Sequence, residues 1–146
     1  MANARLNIDF QKFQKAAALF LSSAARVPAL RLEIVDDPIA MEPYDALTSR
    51  FERCVEVFLG KYLRSLEFHL MGVASPTVRD RLQFGLKIGL LTDAEVWLEM
   101  REFRNRMAHD YLPDKLASMF EALRGRFAHE VKSVADAAMQ NSAWRD

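Results

Sequence analysis

Cysteine is almost missing: Cys54 stands alone in 146 residues, so no internal disulfide can form and the chain suits a reducing compartment. Histidine is scarce as well, with three, at 69, 109 and 129, and no Cys or His pair falls at ligand spacing; neither a metal nor another cofactor is expected. Long uncharged runs are absent although 51% of residues are hydrophobic. The N-terminus, Met-Ala-Asn-Ala-Arg, passes straight into an amphipathic pattern without the apolar stretch of a signal peptide. No membrane segment and a cytoplasmic location are therefore expected. Excess charge of one sign is also missing, since 20 Lys and Arg balance 20 Asp and Glu. That excludes the global basic field of a nucleic-acid coat protein and makes any RNA contact local. There is no internal repeat, no Gly-rich phosphate loop, and no period-two alternation long enough to build a sheet.

What remains is helical periodicity in a length that suits one core, so residues 1–146 read as a single domain. A first helix is predicted from about Leu6 to Arg26, with Leu6, Phe10, Phe13, Ala17, Phe20 and Ala24 on one stripe. A proline-rich connection follows over 27–43, in which a short extended piece and a helical continuation both fit. The second helix, about Pro43 to Met71, carries Tyr44, Leu47, Phe51, Val55, Phe58, Tyr62, Leu66 and His69 inward, with Arg53, Glu56, Gly60, Arg64 and Glu67 opposite. At ~1.5 Å per residue it is on the order of 40 Å long, enough for the spine of a bundle. Gly72 ends it, and Ser75-Pro76 reads as cap and first turn of a short third helix reaching about Ile88, with Gly85 placed for close backbone approach. Thr92-Asp93-Ala94-Glu95 reads as a capping box opening a fourth helix. The fifth spans about Asp114 to Gln140, and a tail over 141–146 is expected to fray. The expected architecture is an all-α, antiparallel four- to five-helix bundle.

Only the end of the fourth helix looks chemical. Trp97, Met100, Ala108 and Tyr111 recur at helical steps, and Arg104 falls on the same stripe, where core would be expected. Asn105 and His109 are four apart, so the amide is placed to orient the imidazole. Each residue also has an ordinary reading: Arg104 laid along a groove, His109 favoured by the helix C-terminus, Tyr111 as packing. The combination of a fixed cation, a group titrating near neutrality, an amide and a phenol within eight residues points instead to phosphate chemistry. Cys54, His69 and His129 read as structural or surface residues.

Arg-Asn-x-x-x-His-x-Tyr at 104–111, preceded by Gly-Leu-Leu-Thr-Asp-Ala-Glu-Val-Trp-Leu-Glu-Met at 89–100, resembles the HEPN superfamily, in particular its HepT-like branch of nucleotidyltransferase substrate-binding proteins. The resemblance runs from Arg50-Phe51-Glu52 onward, and the first helix adds little to it. It implies a homodimer paired through the motif helices, so that two Arg104 and two His109 face one cleft as a metal-independent endoribonuclease. It further implies a toxin whose antitoxin is a minimal nucleotidyltransferase, which in some members attaches AMP to the tyrosine that Tyr111 matches.

Metal-free RNA cleavage uses the ribose 2′-OH as nucleophile and needs a base near pH 7 and a cation for the phosphorane charge. His109 is the candidate base or acid and Arg104 the charge stabiliser; Asn105 orients the imidazole or contacts phosphate, and Tyr111 lines the cleft. A stripe holding Trp97, Arg104 and Tyr111 is expected to line a two-fold interface rather than sit inside one bundle. Two other classes fit the residues: a non-catalytic nucleotide- or substrate-binding subunit of a nucleotidyltransferase, and an interaction bundle without chemistry.

Overall fold

The aromatic stripe over residues 44–66 decides the architecture, because every other long helix has to bury its own apolar face and this one offers the largest surface. The structure is a computed structural model, and it describes residues 2–106, 113–141 and 144. The described residues form no strand. The elements are α1 (Ala2–Arg26), a 3-10 turn (Leu32–Ile34), α2 (Glu42–Val57), a π turn (Phe58–Tyr62), α3 (Leu63–Met71), α4 (Val78–Lys87), α5 (Ala94–Arg106), α6 (Pro113–Arg124) and α7 (Arg126–Gln140). α2, the π turn and α3 run on as one rod, and the expected fifth helix is divided into α6 and α7 at Gly125, whose backbone (φ −107°, ψ −100°) is not helical; the result is the all-α bundle that the periodicity predicts.

The rod from α2 to α3 is the spine. Phe13 of α1 stacks on Tyr62 at 5.4 Å and tilts against Phe58 at 5.0 Å, while Phe20 meets Phe51 at 5.6 Å. On the other side Phe127 of α7 stacks on Phe51 at 5.6 Å, and Trp97 of α5 stacks on Phe58 at 4.1 Å. All of these rings are buried, each contributing roughly 1.5–3 kcal/mol, and half-buried Phe103 sits edge-on to Phe127. One contiguous core draws on α1, the spine, α4, α5, α6 and α7. Cys54 lies inside it, and burial pushes its thiol up to about 12, which makes it the inert packing residue expected.

Several local features depart from the sequence reading, each for a definable reason. The spine is not a uniform α-helix: the π turn at Phe58–Tyr62 widens it, and Arg81 of α4 donates to the Leu59 carbonyl at 2.8 Å. Glu67, expected on the wet side, is 5% exposed, because its carboxylate accepts from Ser75 N at 2.6 Å and Ser75 Oγ at 2.5 Å. With Ser75 so engaged it cannot cap α4; Thr77 does, accepting from Asp80 N at 3.1 Å, and the helix starts at Val78 rather than Pro76. Gly85 does admit a close neighbour, but a side chain: a Cβ there would stand 2.6 Å from Leu91 Cδ2. Gly72 and Gly89 take the left-handed conformation, both at φ 78°, that ends α3 and α4.

The connection over 27–43, left open between two conformations, is a pinned loop around the 3-10 turn. Tyr44 Oη donates to the Pro28 carbonyl at 2.7 Å, Arg124 Nε donates to the Val27 carbonyl at 2.7 Å, and Asp37 Oδ1 accepts from Ile39 N at 3.1 Å. In the tail, Trp144 is half-buried against the core, while 142, 143, 145 and 146 lie outside the described residues.

The core also holds a carboxylate that periodicity did not reveal. Glu130 of α7 is 8% exposed and accepts from Trp97 Nε1 at 3.0 Å. Burial pushes its carboxyl above the ordinary 4.5; the Trp97 bond draws it back, Asp93 adds to the rise and His129 lessens it. The native chain therefore holds this proton more tightly than the unfolded chain. Stability from this group is full below the unfolded value and is lost as pH rises through the raised native one. Glu130→Gln keeps an acceptor for Trp97 and cannot ionise. In denaturant titrations from about pH 4 to pH 8, its stability relative to wild type should climb with pH, and a pH-independent difference would contradict the assignment.

Candidate functional site

α5 carries the chemical stretch, and its start sets which face turns inward. The capping residue is Asp93, one position beyond the Thr92 of the expected box: its Oδ1 accepts from Glu95 N at 3.0 Å and Val96 N at 3.2 Å. A carboxylate there also suits the positive end of the helix dipole. From this start Trp97 and Met100 fall wholly inside, both at 0% exposure. Trp97 is thus a core residue of the single chain, stacked on Phe58 and bonded to Glu130, and not a lining residue of an exposed interface as expected. A single-chain bundle can bury it because α7 supplies the acceptor for its indole N–H.

One turn further the core runs out. Phe103 is half-buried, edge-on to Phe127 at 5.0 Å, Arg104 is half-exposed, and Asn105 is exposed. Arg104 follows Trp97 and Met100 on the buried stripe yet lies where that stripe emerges, which answers how a cation occupies a core phase. Its Nη2 donates to Asn105 Oδ1 at 3.3 Å. The amide oxygen is thereby taken by the guanidinium, and the amide nitrogen is the group left to orient a neighbour.

Arg104 also acts on Glu52 of α2. Burial pushes the Glu52 carboxyl up, the Arg104 charge pulls it down, and Glu56 pushes it up again. Reading the chain in order missed Glu52, since its relation to Arg104 crosses from one helix to another and leaves no spacing signal. Nearby, Glu99 and Arg126 tie α5 to α7 through two side-chain bonds: Nη1 to Oε2 at 2.6 Å, and Nη2 to Oε1. These bonds, with some desolvation against them, hold the Glu99 carboxyl below its usual range and raise the Arg126 guanidinium. Arg126 also lies 4.6 Å over the Phe127 ring. The base of the motif helix is anchored, and Arg104 and Asn105 extend from that anchor.

His109 and Tyr111, the other two candidates, lie in the segment 107–112, outside the described residues. The pairing expected between Asn105 and His109 therefore lies outside them as well. Among the described residues no group of three His, Cys, Asp or Glu side chains could hold a metal ion. None of the described helices is long and apolar enough to cross a membrane.

The described chain is thus an all-helical bundle in which an anchored helix delivers Arg104 and Asn105 to the rim. The match with known families makes this specific: residues 8–140 fit the family described as nucleotidyltransferase substrate binding protein like, and the chain belongs to that family. The resemblance read from residues 89–111 holds and reaches further, to Ile8, so that α1 and the pinned connection belong to the family's pattern too. Neither the curated proteins nor the solved structures gave a match.

Proposed function

We propose that this protein is a HepT-like endoribonuclease toxin, silenced by a minimal nucleotidyltransferase. The observation that carries the proposal is the Arg104-Asn105-x-x-x-His109-x-Tyr111 sequence in a member of this family, with Arg104 and Asn105 at the emerging end of α5. Two chains pair through the motif helices, so that each contributes Arg104 and His109 to one cleft. One His109 takes the proton from the ribose 2′-OH, which attacks phosphorus. The other protonates the departing 5′ oxygen, leaving a 2′,3′-cyclic phosphate. Arg104 neutralises the charge gathering on the phosphorane oxygens, and Asn105, held by Arg104, presents its N–H to the imidazole or to a phosphate oxygen. No metal enters this scheme, so activity should persist in chelator.

The family description favours a second reading, a non-catalytic subunit that holds a substrate for the nucleotidyltransferase. Purified protein incubated with RNA and chelator separates the two: cyclic-phosphate ends support the toxin, and intact RNA supports the binding subunit.

Regulation rests on Tyr111. The partner enzyme would transfer AMP from ATP to the phenol and release pyrophosphate. The added phosphodiester would then compete with RNA phosphate for Arg104 and obstruct His109 without unfolding the bundle. Tyr111→Phe should keep RNA cleavage and escape silencing when co-expressed with the cognate nucleotidyltransferase that this reading requires. Intact mass should show one AMP on the wild type and none on the variant; a Phe variant silenced as fully as wild type would sink this mode of control.

A further inference from the structure

A second candidate site lies further along the spine, beyond Glu52 and toward the C-terminal end of α3. A cleft of about 500 Å³ is lined by Arg5, Gly60, Lys61, Arg64, Ser65, Phe68 and Ala74. Glu52 and Arg64 are twelve residues apart on the same rod, roughly 18 Å at the helical rise, so this cleft is separate from the motif. Three cations converge here, and the lining includes no carboxylate. Asp9, 1% exposed, reaches two of the lining residues through one oxygen: its Oδ2 accepts from Ser65 Oγ and pairs with Arg5 at 3.4 Å, while its Oδ1 is buried without a hydrogen-bond partner. Lys61 and Arg64 make no ion pair among the described residues.

In a protein whose charges balance overall, unpaired cations around one concavity repel each other and create a local positive field suited to an anion. The field reaches inward to Arg81, whose guanidinium is pushed down by burial and then by Arg64, against a smaller upward pull from Glu67. The π turn sets the geometry. It carries Gly60 and Lys61, and beyond Gly60 there is open space where a side chain would stand. Phe68 borders the same cleft with 55% of its surface exposed, a flat apolar face beside the cations.

We propose that this cleft binds a nucleoside polyphosphate, its phosphates held by Lys61, Arg64 and Arg5 and its base laid on Phe68. A phosphate chain accounts for the cations, a planar ring accounts for an exposed phenylalanine, and the volume suits one mononucleotide rather than a polymer. This goes beyond the Arg104 site and does not depend on it.

Titration calorimetry of the full chain with ATP and with inorganic tripolyphosphate tests the proposal. Saturable ATP binding is expected, weakened about 10-fold or more in the double variant Lys61→Glu, Arg64→Glu. Phe68→Ala should weaken ATP by about 5-fold while sparing tripolyphosphate, because only the nucleotide carries a ring. Arg104→Ala should bind ATP as wild type does, so that failure of the ribonuclease reading leaves this result standing. Lys61, Arg64 and Phe68 are exposed and Arg104 is half-exposed, and unchanged helicity in circular dichroism verifies that the variants fold. Absence of saturable binding at ~1 mM ATP would overturn the proposal. So would full affinity in the double variant, loss of ATP binding in Arg104→Ala, or equal affinity for tripolyphosphate with a silent Phe68→Ala.

Discussion

Trp97→Ala should destabilise the fold by about 3–5 kcal/mol, the range for deleting a large buried aromatic side chain. Trp97 has no exposed surface, stacks on Phe58 at 4.1 Å, and is the donor to a buried carboxylate. Alanine opens a cavity between the spine and α5 and leaves Glu130 without its hydrogen bond, and a stranded buried acceptor adds a further cost of roughly 1–3 kcal/mol. Where the cavity collapses, the total falls toward the lower end. Trp97→Phe separates the two contributions, since the ring stays on Phe58 while the N–H is lost. Its cost should shrink when Glu130 is protonated or replaced by glutamine. Thermal melting of the three variants at two pH values is the measurement. A melting temperature for Trp97→Ala within a degree or two of wild type would place Trp97 outside the core.

The second large effect is on activity alone. On the proposed mechanism, His109→Ala should lower RNA cleavage by about 10²–10⁴-fold, the usual worth of a positioned acid or base. Arg104→Ala should lower it by about 10²–10³-fold through lost stabilisation of the phosphorane charge. Neither change should move stability by more than ~1 kcal/mol. For Arg104 the reason is visible: it is half-exposed, and its one side-chain hydrogen bond among the described residues is to adjacent Asn105. Sedimentation should find both variants in the dimer that the proposed mechanism requires of the wild type. Variants that lose activity only because they unfold would return Arg104 and His109 to structural roles.

The helical bundle was legible because its information is local. Phe10, Phe13 and Phe20 on α1, and Phe51, Phe58 and Tyr62 on the spine, are spaced so that any helix containing them has one apolar face, and all are buried. Glycines at 72 and 89 ended helices as expected, since a left-handed residue is a property of that residue alone. Caps were read one or two positions early, at Thr92 and Ser75, because several polar residues compete for each helix start. The winner depends on what else is in reach: Ser75 is drawn away by Glu67, eight residues back.

By itself, then, the sequence determined the helical class, the apolar stripe of each main helix, and the motif that resembles the family, because these depend on residue identity at short spacing. Only the tertiary structure decided that Trp97 belongs to the core, that Glu130 and Glu67 are buried, that the Arg104 charge acts on Glu52, and that Arg5 joins Lys61 and Arg64 around one cleft. Each of these joins residues from different helices or across a loop. Such pairings follow from how helix faces are matched in space, and spacing along one helix carries no record of its neighbour's rotation and offset.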